Sequence, residues 1–288
     1  MALRWLLRPT NRRIRYLVGC LLVGLFCIQC IPTGDNGAGS VVIAKGQFGN
    51  PEDALEKLVH LAKTDHIALL EHCQDHYVRS YRDYVCTLFK QERIKGALGK
   101  EQEIQVKFRQ SPFSVAMEWL RNAPIGDRVL YVEGKYDDKM IVRPKSGFPQ
   151  LLTGGSVRRK PDGADAMKNT LRPVNLFGFH RGMRELIKVY REAKEAGHLK
   201  QAFGEFAEVA GRRAVVLERY LPPERDYPAW KTLIYIDVDY LVPICIEGFD
   251  WEQRLSSRYV YKDIQFNVGL TEDDFLPEAN GIKVAKKK

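Results

Sequence analysis

His72 and His76 stand four residues apart in the stretch EHCQDH, with Glu71 and Asp75 beside them. On a helix that spacing can bring two imidazoles to one metal ion. No glutamate follows His72 as a zinc-protease motif would require, and no third ligand is evident, so a solvated helix face is the preferred reading. His60, His66, His180 and His198 are dispersed, and none lies in a nucleophile turn with Ser or Cys. TGGSVRRKPDG, residues 153–163, lacks the strand-to-helix setting and the Gly-Lys-Ser ending of a phosphate loop. It reads as a mobile surface loop, with anion binding through Arg158, Arg159 and Lys160 as the other possibility. Glu92, Glu118, Glu133 and Glu218 fall in strand-like stretches without a spacing that fixes two on one atom. Cross-strand pairing with Lys107, Arg109 or Arg93 accounts for them. These residues define no reaction: no catalytic residue, metal or cofactor is expected.

Composition narrows the partners. The 288 residues are 45% hydrophobic, enough for a packed core, and carry a formal charge of +9. Arg4, Arg8, Arg12, Arg13 and Arg15, less Asp35, account for four of those charges, and Lys283, Lys286, Lys287 and Lys288 for four more. The body is therefore nearly neutral, which argues against a nucleic-acid groove.

The arginine-rich start, the apolar run from Tyr16 and the small-residue loop after Cys30 follow the order of a secretory signal. The run of about 16 residues to Ile31 falls just short of the roughly 17 to 25 that span a bilayer. Export to the periplasm or cell envelope is expected, with a membrane anchor through residues 16–31 as the alternative. Gln29 before Cys30 is not the small residue that normally precedes a lipidated cysteine. Cys73, Cys86 and Cys245 read as three small buried residues, although an oxidising compartment permits one bridge and one spare thiol.

Residues 50–80 open with Asn50 and Pro51 as a helix start and carry Leu55, Leu58, Val59, then Leu69, Leu70, Cys73 and Tyr77 at helical spacing. One broken helix or two short ones follow. From Tyr84 the period becomes two, with strands near 84–94, 101–109, 113–120, 128–134 and 139–143, and again near 203–209, 213–220, 231–237, 241–249 and 257–266. A second helix forms around Met183, Leu186, Ile187 and Tyr190, after a Gly- and Pro-rich excursion over 145–170. The fold class is α+β: about ten strands in one curved antiparallel sheet, with an N-terminal helix and an inserted helix. Residues 1–39 form the signal or anchor segment and linker, 40–276 a single domain, and 277–288 a basic, disordered tail.

The stretches DYVCTLFKQERIKG, IQVKFRQSPFSVAMEWL, RVLYVEGKYDDKMIV, LIYIDVDYLVPICIEGFDW and YVYKDIQFNVGLTEDDF resemble the bacterial domain of unknown function 1571 family, from about Tyr77 to Phe275. Ala116 departs from the family's usual aromatic, and no motif anchors the 145–170 excursion. More distantly, the order of elements is similar to the outer-membrane lipoprotein carrier (LolA-like) superfamily. That similarity implies a half-barrel whose concave face, covered by the helices, holds acyl chains. The side chains expected to line it are Phe89, Arg93, Phe108, Phe113, Met117, Trp119 and Tyr131. Within KQER, residues 90–93, the polar run is a strand-end and family signature, or else Arg93 or Glu92 guards a cavity mouth.

The function expected is that of an exported, non-enzymatic protein binding an acyl chain, lipid or lipoprotein segment. A cell-envelope structural or signalling module that binds a protein partner is the rival, and a His72/His76 metal enzyme the weaker one. Oligomeric state stays open.

Overall fold

Strand alternation from Tyr84 onward and helical spacing before it both become structure in the computed structural model, which describes residues 51–124, 126–145 and 155–284. The signal segment, Cys30, the linker and residues 285–288 lie outside the described residues. The N-terminal helical stretch is two helices, α1 (Pro51–Thr64) and α2 (His66–Ser80). Asp65 makes the break: its backbone is extended, and its carboxylate accepts the amides of Ile67 at 3.0 Å and Ala68 at 3.1 Å. It thereby satisfies two of the four amides that a helix start leaves without partners. α2 buries Leu69, Leu70, Cys73 and Tyr77, one stripe at helical spacing.

The strands are β1 (Asp83–Ile94), β2 (Ala97–Leu98), β3 (Gln102–Arg109), β4 (Ser114–Arg121), β5 (Gly126–Val132), β6 (Met140–Pro144) and β7 (Val157–Arg159). After the short helix α3 (Ala164–Met167) and the inserted helix α4 (Phe179–Glu195) come β8 (Lys200–Val209), β9 (Arg212–Tyr220), β10 (Lys231–Asp237), β11 (Pro243–Phe249) and β12 (Leu255–Phe266). They form one sheet in the order β7-β6-β5-β4-β3-β1-β12-β11-β10-β9-β8, with β2 paired to β1. Every pairing is antiparallel. The ends, β7 and β8, do not meet, so the sheet is open. The two strands beyond the expected ten, β2 and β7, are two and three residues long, too short to show alternation in sequence.

The closing strand β12 lies beside the opening strand β1, joining the two meanders. Along β1 the even-numbered Tyr84, Cys86 and Leu88 enter the main core under α2 and α4. There Tyr77, Tyr84, Phe108, Phe179 and Phe266 pack ring against ring, with Tyr84 stacked on Phe108 at 4.9 Å between centroids. A second apolar cluster joins Ala116, Leu130, Val132 and Ile141 to Phe275 and Ile282. Phe275 thus packs on the body, and the small Ala116 lies in the cluster that this segment forms. The chain also stays packed beyond the expected boundary at 276: Ile282 is 1% exposed, so the folded body runs through Val284.

All three described cysteines are buried and free of disulfides. Burial pushes the Cys73 and Cys245 thiols up to about 12 and raises that of Cys86.

His66 is fully buried at the start of α2. Its Nε2 lies 2.8 Å from the Ala62 carbonyl, which can only accept, so Nε2 donates and Nδ1 accepts the Tyr190 hydroxyl at 3.2 Å. Desolvation holds its pKa below 6.5, against the opposing effects of the Ala62 carbonyl and Asp65. Below pH 6.5 the unfolded chain therefore binds a proton that the folded chain refuses, and stability falls with pH. Urea titrations between pH 7.5 and 5.5 will show that loss, and His66→Gln will make it shallower, the remainder coming from His72, His76 and His180, whose pKa values burial also lowers; an unchanged slope in the variant would remove His66 as a source.

Candidate ligand-binding cavity

Strand parity positions the site. The even residues of β1 and the odd residues Met117 and Trp119 of β4 share the helix-covered face with Ile104, Val129 and Val142. Ile246, Tyr259 and Tyr261 extend it on β11 and β12. Over this floor runs the chain from Arg159 to Gly182, contributing Pro161, Ala166, Pro173, Val174, Leu176 and Phe177. Between floor and roof lies a cavity of about 200 Å³. A single water needs only roughly 10–15 Å³, so the space is ligand-sized, and most of its lining side chains are apolar.

Two glycines of the roof shape it. Gly178 precedes α4 with φ +92°, and a Cβ there would lie 2.6 Å from the Phe108 ring. Only glycine lets the chain pass this close before turning into the helix. Gly182, one turn into α4, faces open space: a Cβ added there meets nothing within 4 Å.

One end of the cavity is polar. Lys90 Nζ lies 3.0 Å from Glu92 Oε2 and donates to Thr170 Oγ1 at 2.8 Å. Tyr259 donates its hydroxyl to Glu92 Oε1 at 2.6 Å, and Arg172 lies over the Tyr259 ring at 5.4 Å. Glu92 is 3% exposed. Burial first, and then the Glu92 charge, raises the Tyr259 pKa, so the phenol stays a donor. Burial likewise raises Tyr261. A buried carboxylate that accepts a hydroxyl and pairs with an ammonium is a fixed polar anchor beside an apolar space.

A family model described as protein of unknown function (DUF1571) matches residues 81–283. The chain belongs to that family. The match covers both walls of the cavity and the DUF1571 residues Lys90, Glu92, Thr170, Arg172 and Tyr259. No curated protein matches the sequence. Solved structures similar to the DUF1571 chain include the Pseudomonas aeruginosa MucA/MucB complex, at 15% identity over 82% of this chain and 64% of that one, TM-score 0.42. Others are the lipoprotein LppX from Mycobacterium tuberculosis, at 11% over 72% of this chain and 99% of that one, TM-score 0.41, and the LolA superfamily protein NE2245 from Nitrosomonas europaea, at 11% over 74% and 97%, TM-score 0.31. The chain spans 62 to 64% of the length of the MucB-containing structures it matches.

Of the seven side chains expected to line the DUF1571 cavity, Met117 and Trp119 do so. Phe108, Phe113 and Tyr131 point to the same face but fill the core beside it, Phe113 lying 5.8 Å from Tyr131 and beneath Arg181 at 3.7 Å. Phe89 and Arg93 are odd-numbered on β1 and lie on the opposite face. Arg93 donates to the carbonyls of Leu255 and Gly96, both at 3.0 Å, closing the strand end. In KQER the inward pair is therefore Lys90 and Glu92. The strand carboxylates pair as expected, but with other cations: Glu118 with Arg128, Glu133 with Arg181 at 2.9 Å, and Glu218 with Lys231 at 3.0 Å.

The expected surface loop is partly sheet and partly roof. Val157–Arg159 pair with β6, Arg158 meets Asp137 at 3.2 Å, and Arg159 pairs with Asp165 at the cavity. His72 and His76 are half-buried rather than fully solvated, and His76 packs edge-on to Tyr81. Burial lowers both pKa values; Lys57 and Arg79 add to the effect at His72, and His72 and Arg79 at His76. Among the described residues no three His, Cys, Asp or Glu side chains stand together as a metal site. No described helix is long and apolar enough to cross a membrane.

Proposed function

We propose that the protein is an exported, non-enzymatic binder of an apolar ligand, an acyl chain or lipoprotein segment, held between the sheet and the Arg159–Gly182 roof. The observation that carries this is the ligand-sized cavity, apolar along Leu88, Ile104, Met117, Val129 and Val142 and polar at one end. Each methylene placed there adds about 0.8 kcal/mol before the costs of association. Export draws on the signal-like start of the sequence. The rival, a protein-binding module, draws on the open edge strand β8. An unfilled interior favours the ligand.

Gly182 provides the test. Gly182→Leu places a side chain in open cavity space and removes a helix-weakening glycine, so the variant keeps or gains stability, by up to about 1 kcal/mol. Saturable binding of a fluorescent acyl probe falls at least about ten-fold in the variant. A variant that binds the probe as well as the parent would place the ligand elsewhere.

A further inference from the structure

The cavity opens where its lining reaches solvent. Of the residues that line it, Pro124, Asp165 and Arg172 are exposed, which places the opening between the β4–β5 turn and the roof. The register fixes which end of the sheet this is. Lys90 lies opposite Gln102 and Tyr259, Glu103 opposite Arg121, and Gly126 opposite Pro144. The last residues of β1, β4 and β6 therefore share one end with the first residues of β3 and β5. The β11–β12 turn joins them there, since Glu92 pairs with Ser257 and Arg93 Nε lies 4.0 Å from Asp250. Thr170 and Arg172 bring the roof to the same end through Lys90 and Tyr259.

Large apolar side chains gather at this end and face water. Leu120, beside the cavity residue Trp119 at the end of β4, is 50% exposed, and Leu171, between Thr170 and Arg172, is 43% exposed. Leu98, opposite Arg93, and Trp251, in the β11–β12 turn, are exposed as well. The other large apolar side chains exposed among the described residues do not gather. Val78 and Val268 lie where the chain enters β1 and leaves β12, at the opposite end; Phe206 is on the edge strand β8 and Leu276 in the tail. A single exposed leucine needs no explanation, but a patch around the opening of an apolar cavity does.

Cations accompany the patch. Lys100 precedes β3, Lys145 follows β6 and Lys168 follows α3; all three are exposed. None of them, nor Arg172, forms an ion pair among the described residues. The carboxylates Glu103 and Asp165 are taken by Arg121 and Arg159, which leaves Glu101 against four cations. Apolar tips set among lysines and arginines suit an anionic bilayer, where leucine and tryptophan enter the interface and the cations meet lipid phosphates. The core of a protein interface is, by contrast, depleted of lysine.

We propose that this end of the sheet docks on an anionic lipid surface, and that the acyl chain passes directly between bilayer and cavity without crossing water. This rests on the apolar-ligand reading and adds the partner that loads or receives the ligand.

The experiment follows a fluorescent acyl probe from the loaded full chain to vesicles, made of phosphatidylcholine alone or with about one fifth phosphatidylglycerol. In the parent the transfer rate rises with vesicle concentration and is about ten-fold faster to the anionic vesicles. Leu120→Ser/Leu171→Ser and Lys145→Glu/Lys168→Glu each slow that transfer by about five-fold or more, while affinity for the probe without vesicles stays within about two-fold. None of the four residues lines the cavity and all are exposed, so fold and binding are left in place. Parent and variants share the apolar run that ends at Ile31, so any hold it has on vesicles is common to them. A parent rate that ignores vesicle concentration and lipid charge would mean release into water; it would overturn the docking, leave the cavity reading standing and assign the patch to a protein partner. Parent-like transfer in both variants would overturn this end as the docking surface. No uptake of the probe by the parent would overturn the docking and the cavity reading together.

Discussion

Glu92→Ala lowers the unfolding free energy by about 3–5 kcal/mol, because it removes one partner of a buried ion pair. Three losses coincide. Lys90, whose side chain is 13% exposed, keeps its charge without a carboxylate at 3.0 Å; the Tyr259 hydroxyl loses its acceptor at 2.6 Å; and a space opens beneath Thr170. The charge pair alone is not a large source of stability, since desolving two charges offsets most of their attraction. The double variant Lys90→Met/Glu92→Leu, which removes both charges and keeps the volume, therefore recovers most of the loss, to within about 1–2 kcal/mol of the parent. Urea unfolding of the three proteins measures this. If the double variant were no more stable than Glu92→Ala, the cost would lie in packing and not in an orphaned charge. Binding would separate them further: the double variant keeps an apolar cavity but loses its polar anchor.

Gly178→Ala costs about 3 kcal/mol or more, the sum of a backbone strain and a collision. With φ +92° and ψ 156° the residue sits where a side chain is strained whatever its surroundings. The new Cβ would also stand 2.6 Å from two ring atoms of Phe108, itself 2% exposed and held by Tyr84 and Phe113. Neither the ring nor the chain can yield without moving the start of α4, which carries the roof. Gly182→Ala, four residues on, is the control: with nothing within 4 Å of its Cβ it stabilises by roughly 0.5–1 kcal/mol. Opposite signs from two glycines one turn apart, read by thermal or urea unfolding, test the local geometry of the roof. A Gly178→Ala variant as stable as the parent would mean that the chain enters α4 by another path.

Alternation is what made the long strands readable: Ile104, Val106 and Phe108 against Gln105, Lys107 and Arg109 leave no doubt about β3 or its inner face. β1 resisted the same reading because both parities of Tyr84–Phe89 are apolar. Only the register, which puts Tyr84, Cys86 and Leu88 in the main core, shows that Phe89 and Arg93 face away and that Lys90 and Glu92 face in. KQER is thus two pairs with different tasks, one closing the strand end through backbone carbonyls and one anchoring the cavity. The roof was illegible for another reason. Thr170 and Arg172 sit in a segment without periodicity, and their partners Lys90 and Tyr259 lie some 80 residues or more away in sequence. Arg219 looks like any polar residue in an alternating strand; its burial follows from α4 crossing above it with Tyr190. The packing of Phe275 in TEDDFLPE was expected, but Ile282 beyond it stands in a short basic stretch without pattern and finds its cluster only once the sheet exists.

Organic extraction of the purified protein followed by lipid mass spectrometry tests the central claim most directly. The account predicts an acyl-chain-bearing amphiphile approaching one equivalent per chain in the parent and its loss in Gly182→Leu at unchanged stability. An extract free of such a molecule, together with no saturable uptake of an acyl probe by the parent, would contradict it.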